Sequence, residues 1–550
     1  MSLPSQPART RPAVSAAGVS GALALALLSL PALALLWRAG ERLAALLAYP
    51  FPHDSLEGTL LHEARLMRAG EPLYQPLELY RFVSAPYPPL HPLLLGWADQ
   101  IAGPHIFWGG RLISLVSALV AAVLVLLLGR RAGGSWLGGL FGAGVFLSAA
   151  PVLLWGTRIK PDLLALAFTA LGLLLAADEG RRTKDEGGRT NDQRPTTNDP
   201  SSRAADKGRG AKDGRGRLSM LHAQLSILLA AVCFVLAFYA KQTAVAAPLA
   251  VGIALLIGDV RAAWAGERAG RIGPLPLRWR TLLFSLVYLA LALGVWLALD
   301  LATQRQYTLH VWWNGERTGW WSFALMRKFV ALLEPYRPLM LVGAGLVVYG
   351  LRTGRALVPA CYMLVAPLTL FAAGETGANH NHLLETLLAL SVAAGSAAGL
   401  AAAALARRPA LALPALALLA LQVPLLFAPP PHWYTGQLEP DSPPDRYVKF
   451  ILNTPGEILT DDPGLLLLAG KPIRYDDPST QGPAVRLGAW DQRGMLDDIA
   501  NRRFTAIMLP IDVRKDSLDA AGRWTPEMLA TIKEHYKVKF ADTLIIYEPK

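Results

Sequence analysis

The sequence predicts a polytopic α-helical membrane protein that ends in a small extracytoplasmic α/β domain. Three observations carry this reading. Of 550 residues, 53% are hydrophobic and only 17% are charged. The apolar residues fall in repeated runs, each close to the roughly 20 residues that cross a bilayer as a helix. Lys and Arg collect in alternate loops between those runs, as they do where loops stay in the cytoplasm. A soluble chain of this length would instead form several domains.

About eleven spans are expected from runs of this length. They lie near residues 17–37, 107–129, 135–155, 161–177, 218–239, 243–258, 280–301, 337–351, 356–373, 387–405 and 410–428. The first run follows Arg9 and Arg11, as the apolar run of a signal peptide would. No Ala-x-Ala site precedes a soluble region and further runs follow, so the first helix is expected to be retained. The two runs flanking Lys241 are close enough to form one broken pair. With a cytoplasmic N-terminus, the inner loops hold Arg130 and Arg131, residues 178–217, residues 259–280, Arg352 and Arg355, and Arg407 and Arg408. The outer side then receives residues 38–106, 156–160, the turn at Lys241, residues 302–336, residues 374–386 and the C-terminal tail. The protein is therefore expected in the cell (plasma or inner) membrane. The net charge of +12 is explained by this loop placement, and no nucleic-acid partner is expected. Cys233 and Cys361 fall inside apolar runs and read as small core residues, without a disulfide framework or zinc site.

Within the membrane domain, 1–430, residues 178–217 are low in complexity and poor in apolar residues, the composition of a disordered cytoplasmic linker. The domain 431–550 opens after the stiff Pro429-Pro430-Pro431. Its patterning predicts strands at Glu457–Thr460, Thr505–Ile511 and Thr543–Tyr547, and helices at Trp490–Arg502 and Thr525–Tyr536. Strands alternating with helices make an α/β domain.

No phosphate-binding loop, dinucleotide fingerprint or zincin motif is present, so ATP-driven and nucleotide-sugar chemistry lack their usual sequence support. The outer side instead concentrates polar residues. After the first run comes His53-Asp54-Ser55-Leu56-Glu57-Gly58, followed by an apolar stripe of Leu60, Leu61, Ala64 and Met67 at helical spacing. In a helix Asp54 and Glu57 would share one face near the positive end of the dipole; equally, they could simply cap a surface helix. The run Tyr87-Pro88-Pro89-Leu90-His91-Pro92 forces a rigid return into the second span. Arg111 lies just inside that span, where a charge is costly unless paired or near water, though it could also snorkel to the interface. Arg158, Lys160 and Asp162 crowd the next outer turn, with Pro161 suited to a helix start. Lys241 could mark a turn or contact a phosphate. Asn379, His380 and His382 could donate to an anionic head group, and with Asp54 or Glu57 the two histidines could hold a divalent metal.

The series Asp54-x-x-Glu57-Gly58, Gly70-Glu71-Pro72-Leu73-Tyr74, Tyr87-Pro88-Pro89-Leu90 and Gly110-Arg111-Leu112-Ile113-Ser114 resembles the GT-C glycosyltransferases. The likeness is closest to the protein O-mannosyltransferase and aminoarabinose-transferase group and to the RgtA/B/C/D-like bacterial members. Lys160-Pro161-Asp162, Ala240-Lys241-Gln242 and Asn379-His380-Asn381-His382 fit the later short motifs, and the resemblance covers residues 15–430. It implies a GT-C fold, a polyprenyl-phosphate-linked sugar as donor, and transfer on the outer face to a glycan, lipid or protein acceptor. It implies an acid in the first outer loop as general base, matched by Asp54, and a second acid matched by Asp162. One departure stands out. Aminoarabinose transferases often carry Lys just before Pro-Pro-Leu, where this chain has Tyr87. Phosphate contact is then expected from Lys241, Arg158 or His380, with Glu57, Tyr87, His91, Arg111, Lys160, Asn379 and His382 around the substrate. A cofactor is unspecified, with a divalent ion on Glu57, His380 and His382 as the candidate. Two other readings remain: a lipid or solute transporter, which would call for internal repeats and mid-bilayer polar groups, and a ligase that moves whole lipid-linked glycans.

Overall fold

The computed structural model describes residues 16–189, 207–264, 279–314, 321–375, 377–427, 443–515 and 522–550. The N-terminal half runs through ten helices: α1 (Ala16–Ala48), α2 (Ser55–Arg68), α3 (Leu90–Ala98), α4 (Trp108–Gly133), α5 (Trp136–Ser148), α6 (Ala150–Trp155), α7 (Asp162–Arg189), α8 (Lys207–Ala240), α9 (Ala246–Trp264) and α10 (Trp279–Ala302). Their limits follow local chemistry. Gly134 ends α4 in the left-handed region at φ 76°, and the Ser135 side chain caps α5 by accepting from the Gly138 N–H. Pro161 stands immediately before α7. The chain turns at Lys241 between α8 and α9, where the sequence predicts a break.

Among the described residues, six helices are long and apolar enough to cross a membrane, or seven if the pair Phe323–Ala331 and Glu334–Thr353, bent by 53°, is one span. That is fewer than the eleven expected. One expected span is visibly broken, the run at 135–155: Pro151 lies just after an extended Ala149, and the run divides into α5 and the short α6. The apolar helix Trp136–Ser148 is itself shorter than a span. The expected linker is shorter than 178–217, because α7 continues to Arg189 and α8 begins at Lys207; residues 190–206 lie outside the described residues.

The bundle has a centre and a periphery. Four-fifths or more of the most apolar window of His380–Ala404, 83%, is buried, against 11% for Arg280–Ala302. The peripheral helix presents Leu293 and Leu301, 64% and 69% exposed, to the surroundings. A soluble protein would bury such a face; a bilayer solvates it. The central helix is approached closely because small residues line the contact: a Cβ on Gly399 would collide with the Gly133 backbone, and one on Gly138 would lie 2.8 Å from the Gly395 carbonyl.

Beyond the bundle, four strands form one sheet: β1 (Glu457–Thr460), β2 (Phe504–Leu509), β3 (Tyr536–Ala541) and β4 (Ile545–Pro549). The order is β1-β2-β4-β3, with β1 and β2 parallel and β4 antiparallel to both β2 and β3. Strand β1 lies where the sequence predicts it. Strand β3 was not expected: Tyr536 begins it rather than ending the preceding helix Pro526–His535. Its Lys537 and Lys539 reach Glu548 of β4 at 3.5 and 3.2 Å, cross-strand pairs that join the last two strands. This C-terminal unit is built onto the loop segment between α2 and α3. Phe82, fully buried, belongs to its core with Tyr475, Trp490 and Phe504. The backbone pairing is direct, with Phe82 N–H donating to the Arg474 carbonyl and Asp476 N–H to the Phe82 carbonyl, both at 3.0 Å.

Candidate functional site

The site lies where α2, the starts of α4 and α7, and the turn between α8 and α9 converge. Asp54 occupies the N-cap position of α2 in extended conformation (φ −157°, ψ 163°), yet its side chain makes no capping bond. It turns to the segment before α7, meeting Arg158 Nη1 at 3.1 Å and Lys160 Nζ at 3.2 Å. Its carboxylate side chain is 24% exposed while both cations are nearly buried. Two desolvated cations thus converge on one carboxylate that still faces an opening.

Glu57, one turn along, has a different set of partners. It and Arg111 are fully buried. Arg111 Nε and Nη2 donate to Glu57 Oε1 and Oε2 at 3.1 and 2.7 Å. The same carboxylate accepts the His53 N–H at 2.7 Å and the Ile159 N–H at 2.9 Å. Arg111 also donates to the carbonyls of Tyr49 and Phe51. Burial would push the Glu57 carboxyl up, but the Arg111 charge and these donors outweigh it and hold it down at about 2. Glu57 and Arg111, both expected around the substrate, are instead spent on each other and on the backbone that leads from α1 into α2. They clasp three segments: residues 49–53, α4 and the turn carrying Arg158 and Lys160.

Asp162, the first residue of α7, pairs with Lys241 Nζ. Lys160 also acts on Asp162 electrostatically, as does Asn381 through a side-chain hydrogen bond. A row of alternating charge therefore runs from Asp54 through Lys160 and Asp162 to Lys241. His91 is fully buried at the start of α3, with neither ring nitrogen hydrogen-bonded. Burial lowers it to about 4, while Asp162 and Lys160 act on it from nearby, so its imidazole is neutral at neutral pH. Tyr87 accepts the Tyr74 hydroxyl at its carbonyl, 2.8 Å away, and its ring packs with Leu60, Leu61 and Leu95; it shapes the return into α3.

Asn379 caps the short helix His380–Leu383, its side chain accepting the His380 N–H at 2.8 Å. The His380 ring lies 6.0 Å from Trp155 and 5.5 Å from Phe329. His382 reaches a cavity of about 860 Å³. The polar end of that cavity carries Asp162, Lys241, Asn381, His382 and Glu385; its walls are apolar, with Leu166, Phe238, Leu293, Trp296 and Phe371 among them. Glu57, His380 and His382 do not converge, and among the described residues no three His, Cys, Asp or Glu side chains are grouped to hold a metal ion. Several polar atoms at the site stay without a hydrogen bond within the chain: Asp162 Oδ2, Thr157 Oγ1 and both nitrogens of His91. Buried groups left this way suit a polar ligand or ordered water.

Sequence reasoning missed the carboxylates supplied by the C-terminal unit. Asp476 and Asp477 are fully buried against the loop between α2 and α3, with Ser84 N–H donating to Asp476 Oδ1 at 3.2 Å and the Thr59 hydroxyl to the Asp476 carbonyl at 2.5 Å. Glu63 of α2, 2% exposed, has both carboxyl oxygens unbonded and faces the same two acids. These contacts join residues some 390 to 420 positions apart, beyond the reach of any local pattern.

Comparison with solved structures places this arrangement among known folds. ArnT from Cupriavidus metallidurans in the apo state superposes with a TM-score of 0.51 at 13% identity, covering 94% of this chain and 97% of that one. The same protein bound to undecaprenyl phosphate gives 0.50 at 14% identity, with the same coverage. The archaeal oligosaccharyltransferase AglB from Archaeoglobus fulgidus, in complex with an inhibitory peptide and a dolichol-phosphate, gives 0.47 at 11% identity over 96% of this chain and 74% of that one. No protein-family model matches the sequence, and no curated protein does. At these identities the likeness is one of fold.

Proposed function

We propose that this chain, which has the GT-C fold of the membrane glycosyltransferases, transfers a sugar from a polyprenyl-phosphate-linked donor to an acceptor hydroxyl on the outer face of the membrane. One observation carries the reading. The apolar cavity of about 860 Å³ ends in Asp162, Lys241 and His382, and the row of charges from that end leads to Asp54. An apolar chain suits the walls, and a phosphate suits the cationic end. The fold neighbour ArnT has been seen bound to undecaprenyl phosphate, which agrees with a donor of this class.

In this reading Lys241 takes the phosphate, with Arg158 and Lys160 beside it. Asp54 is the general base. It takes the acceptor's hydroxyl proton as that oxygen bonds to the anomeric carbon; the bond from carbon to phosphate oxygen breaks, and the lipid phosphate leaves as an anion held by the cations. A single displacement inverts the anomeric carbon, whereas retention would usually require a carboxylate nucleophile. In the absence of donor Arg158 and Lys160 sit on Asp54. Donor phosphate competes for the same cations, so donor binding frees the Asp54 carboxylate to meet the acceptor hydroxyl. Lys and Arg asymmetry supports a cytoplasmic N-terminus and an extracytoplasmic C-terminal unit.

The test is a panel of polyprenyl-phosphate sugars offered to purified protein in liposomes, with release of polyprenyl phosphate as the readout. At least one donor is expected to be turned over, and Lys241→Met to weaken its binding. Transport of the donor without cleavage would refute transfer.

A further inference from the structure

We infer that Asp462, supplied by the C-terminal unit, is a positioning residue for the base Asp54, and that the transfer site is complete only when that unit is docked. The inference rests on the transfer reading above and assigns a role to a residue that lies outside every motif of the membrane part.

Three observations support it. The first is placement. Asp462 caps the short helix Pro463–Leu468, its Oδ1 accepting the Gly464 N–H at 3.0 Å. That helix sits directly on the turn into α2: a Cβ on Gly58 would collide with the Gly464 backbone, and one on Gly464 would lie 3.0 Å from Pro52 Cβ and 3.1 Å from Asp462 Oδ1. The Asp462 carboxyl is thus held over the segment that carries Asp54.

The second is its charge environment. The charged groups that act most strongly on Asp462 are Asp54 and Glu57, from the turn and α2, and Asp461, just after β1. Each of those three has a cation of its own: Arg158 and Lys160 for Asp54, Arg111 for Glu57, and Arg523 for Asp461 at 2.9 Å. Asp461 also accepts the Trp524 indole N–H at 2.8 Å. Among the described residues no cation pairs with Asp462. The third observation follows. Burial first, then Asp54, Asp461 and Glu57, push its carboxyl up to about 7, against the Gly464 N–H, which pulls it down. Protonated, Asp462 is neutral in the field of Asp54. Ionised, it places a second negative charge beside Asp54. The charge beside Asp54 therefore depends on a proton held by the other unit.

Asp462→Asn separates this role from simple capping, because Asn caps a helix about as well as Asp. With purified full-length protein, the wild-type turnover is expected to rise through an inflection near neutral pH. Asp462→Asn should keep thermal stability and donor KM, lose that inflection, and fall up to about tenfold in kcat at the alkaline end, a part of the about 10²–10⁴-fold that a positioned base contributes. Asp462→Glu should restore part of it. An Asp462→Asn profile that parallels the wild type overturns the inference. A readout without turnover keeps it distinct from the transfer reading: infrared difference spectra should show a protonated carboxyl band that titrates near neutral pH, vanishes in Asp462→Asn and shifts in Asp54→Asn. If that band is present and no donor is consumed, the transfer reading fails and the pairing stands. If it is absent, or unmoved in Asp54→Asn, the pairing fails whatever the activity.

Discussion

Glu57→Gln tests whether the acid nearest the candidate base belongs to the architecture or to the chemistry. The side chain is fully buried and accepts four hydrogen bonds, two from Arg111 and one each from the His53 and Ile159 backbones. Glutamine keeps the shape, but its NH2 end faces donors and the Arg111 charge is left uncompensated in the same buried place. Breaking a buried pair by removing one partner costs about 3–5 kcal/mol. The loss should appear as a large drop in thermal stability of the purified protein, with donor affinity in the surviving folded fraction unchanged. The pH dependence has a definite sign. The folded-state carboxyl is held near 2, below its ordinary value of 4.5. The stability it contributes is fully present above about 4.5 and is lost as pH falls toward 2. The wild type should lose this contribution across that window, and Glu57→Gln should show no such loss. Normal stability in Glu57→Gln together with weakened donor binding would refute the clasp and return Glu57 to the substrate.

Three other outcomes are expected. Gly58→Ala puts a methyl group into the Gly464 backbone and should loosen the C-terminal unit, read as faster proteolysis between residues 443 and 550 with the membrane helices still intact. Glu63 and Asp476 are both raised well above their ordinary values, burial acting first in each, with Asp476 and Asp477 on Glu63 and Asp477 on Asp476. The stability this proton binding contributes is fully present below the unfolded carboxyl range and is lost as pH rises above it, so Glu63→Gln should make the alkaline loss of thermal stability smaller, and an unchanged slope would remove Glu63 as its source. Lys241→Met should weaken binding of polyprenyl phosphate without weakening that of a neutral polyprenol; equal affinity for both in wild type and variant would place the phosphate elsewhere.

Much of the fold is legible in the sequence because apolar length and charge asymmetry are local properties. The break at Lys241 and strand β1 are of this kind. The number of spans is not, since a helix such as α5 can be as apolar as a span and yet stop short where Pro151 follows. The site is legible in part. The sequence places Asp54, Asp162, Lys241 and His382 in separate motifs, and the structure brings the last three to one cavity end and links Asp54 to them through Lys160. It also divides Asp54 from Glu57, which a helical wheel would join: the N-cap residue is extended, so its side chain leaves the face that Glu57 occupies. Arg111 reads as costly from sequence, and its partner 54 residues earlier supplies the reason. The carboxylates of the C-terminal unit have no such signal. Asp462, Asp476 and Asp477 gain meaning only from the docking that Phe82, Gly58 and Gly464 permit.

The central claim, that Asp54 is the base of a lipid-linked sugar transfer, is tested most directly by measuring turnover and donor affinity of Asp54→Asn side by side. Asparagine keeps the size and can still accept a hydrogen bond from Arg158 or Lys160, but it cannot take the acceptor's proton. The expected result is a fall in kcat of about 10²–10⁴-fold, the usual worth of a positioned base, with donor affinity kept or tightened because the two cations are freer to meet the phosphate. An Asp54→Asn protein that transfers sugar at near the wild-type rate would contradict it.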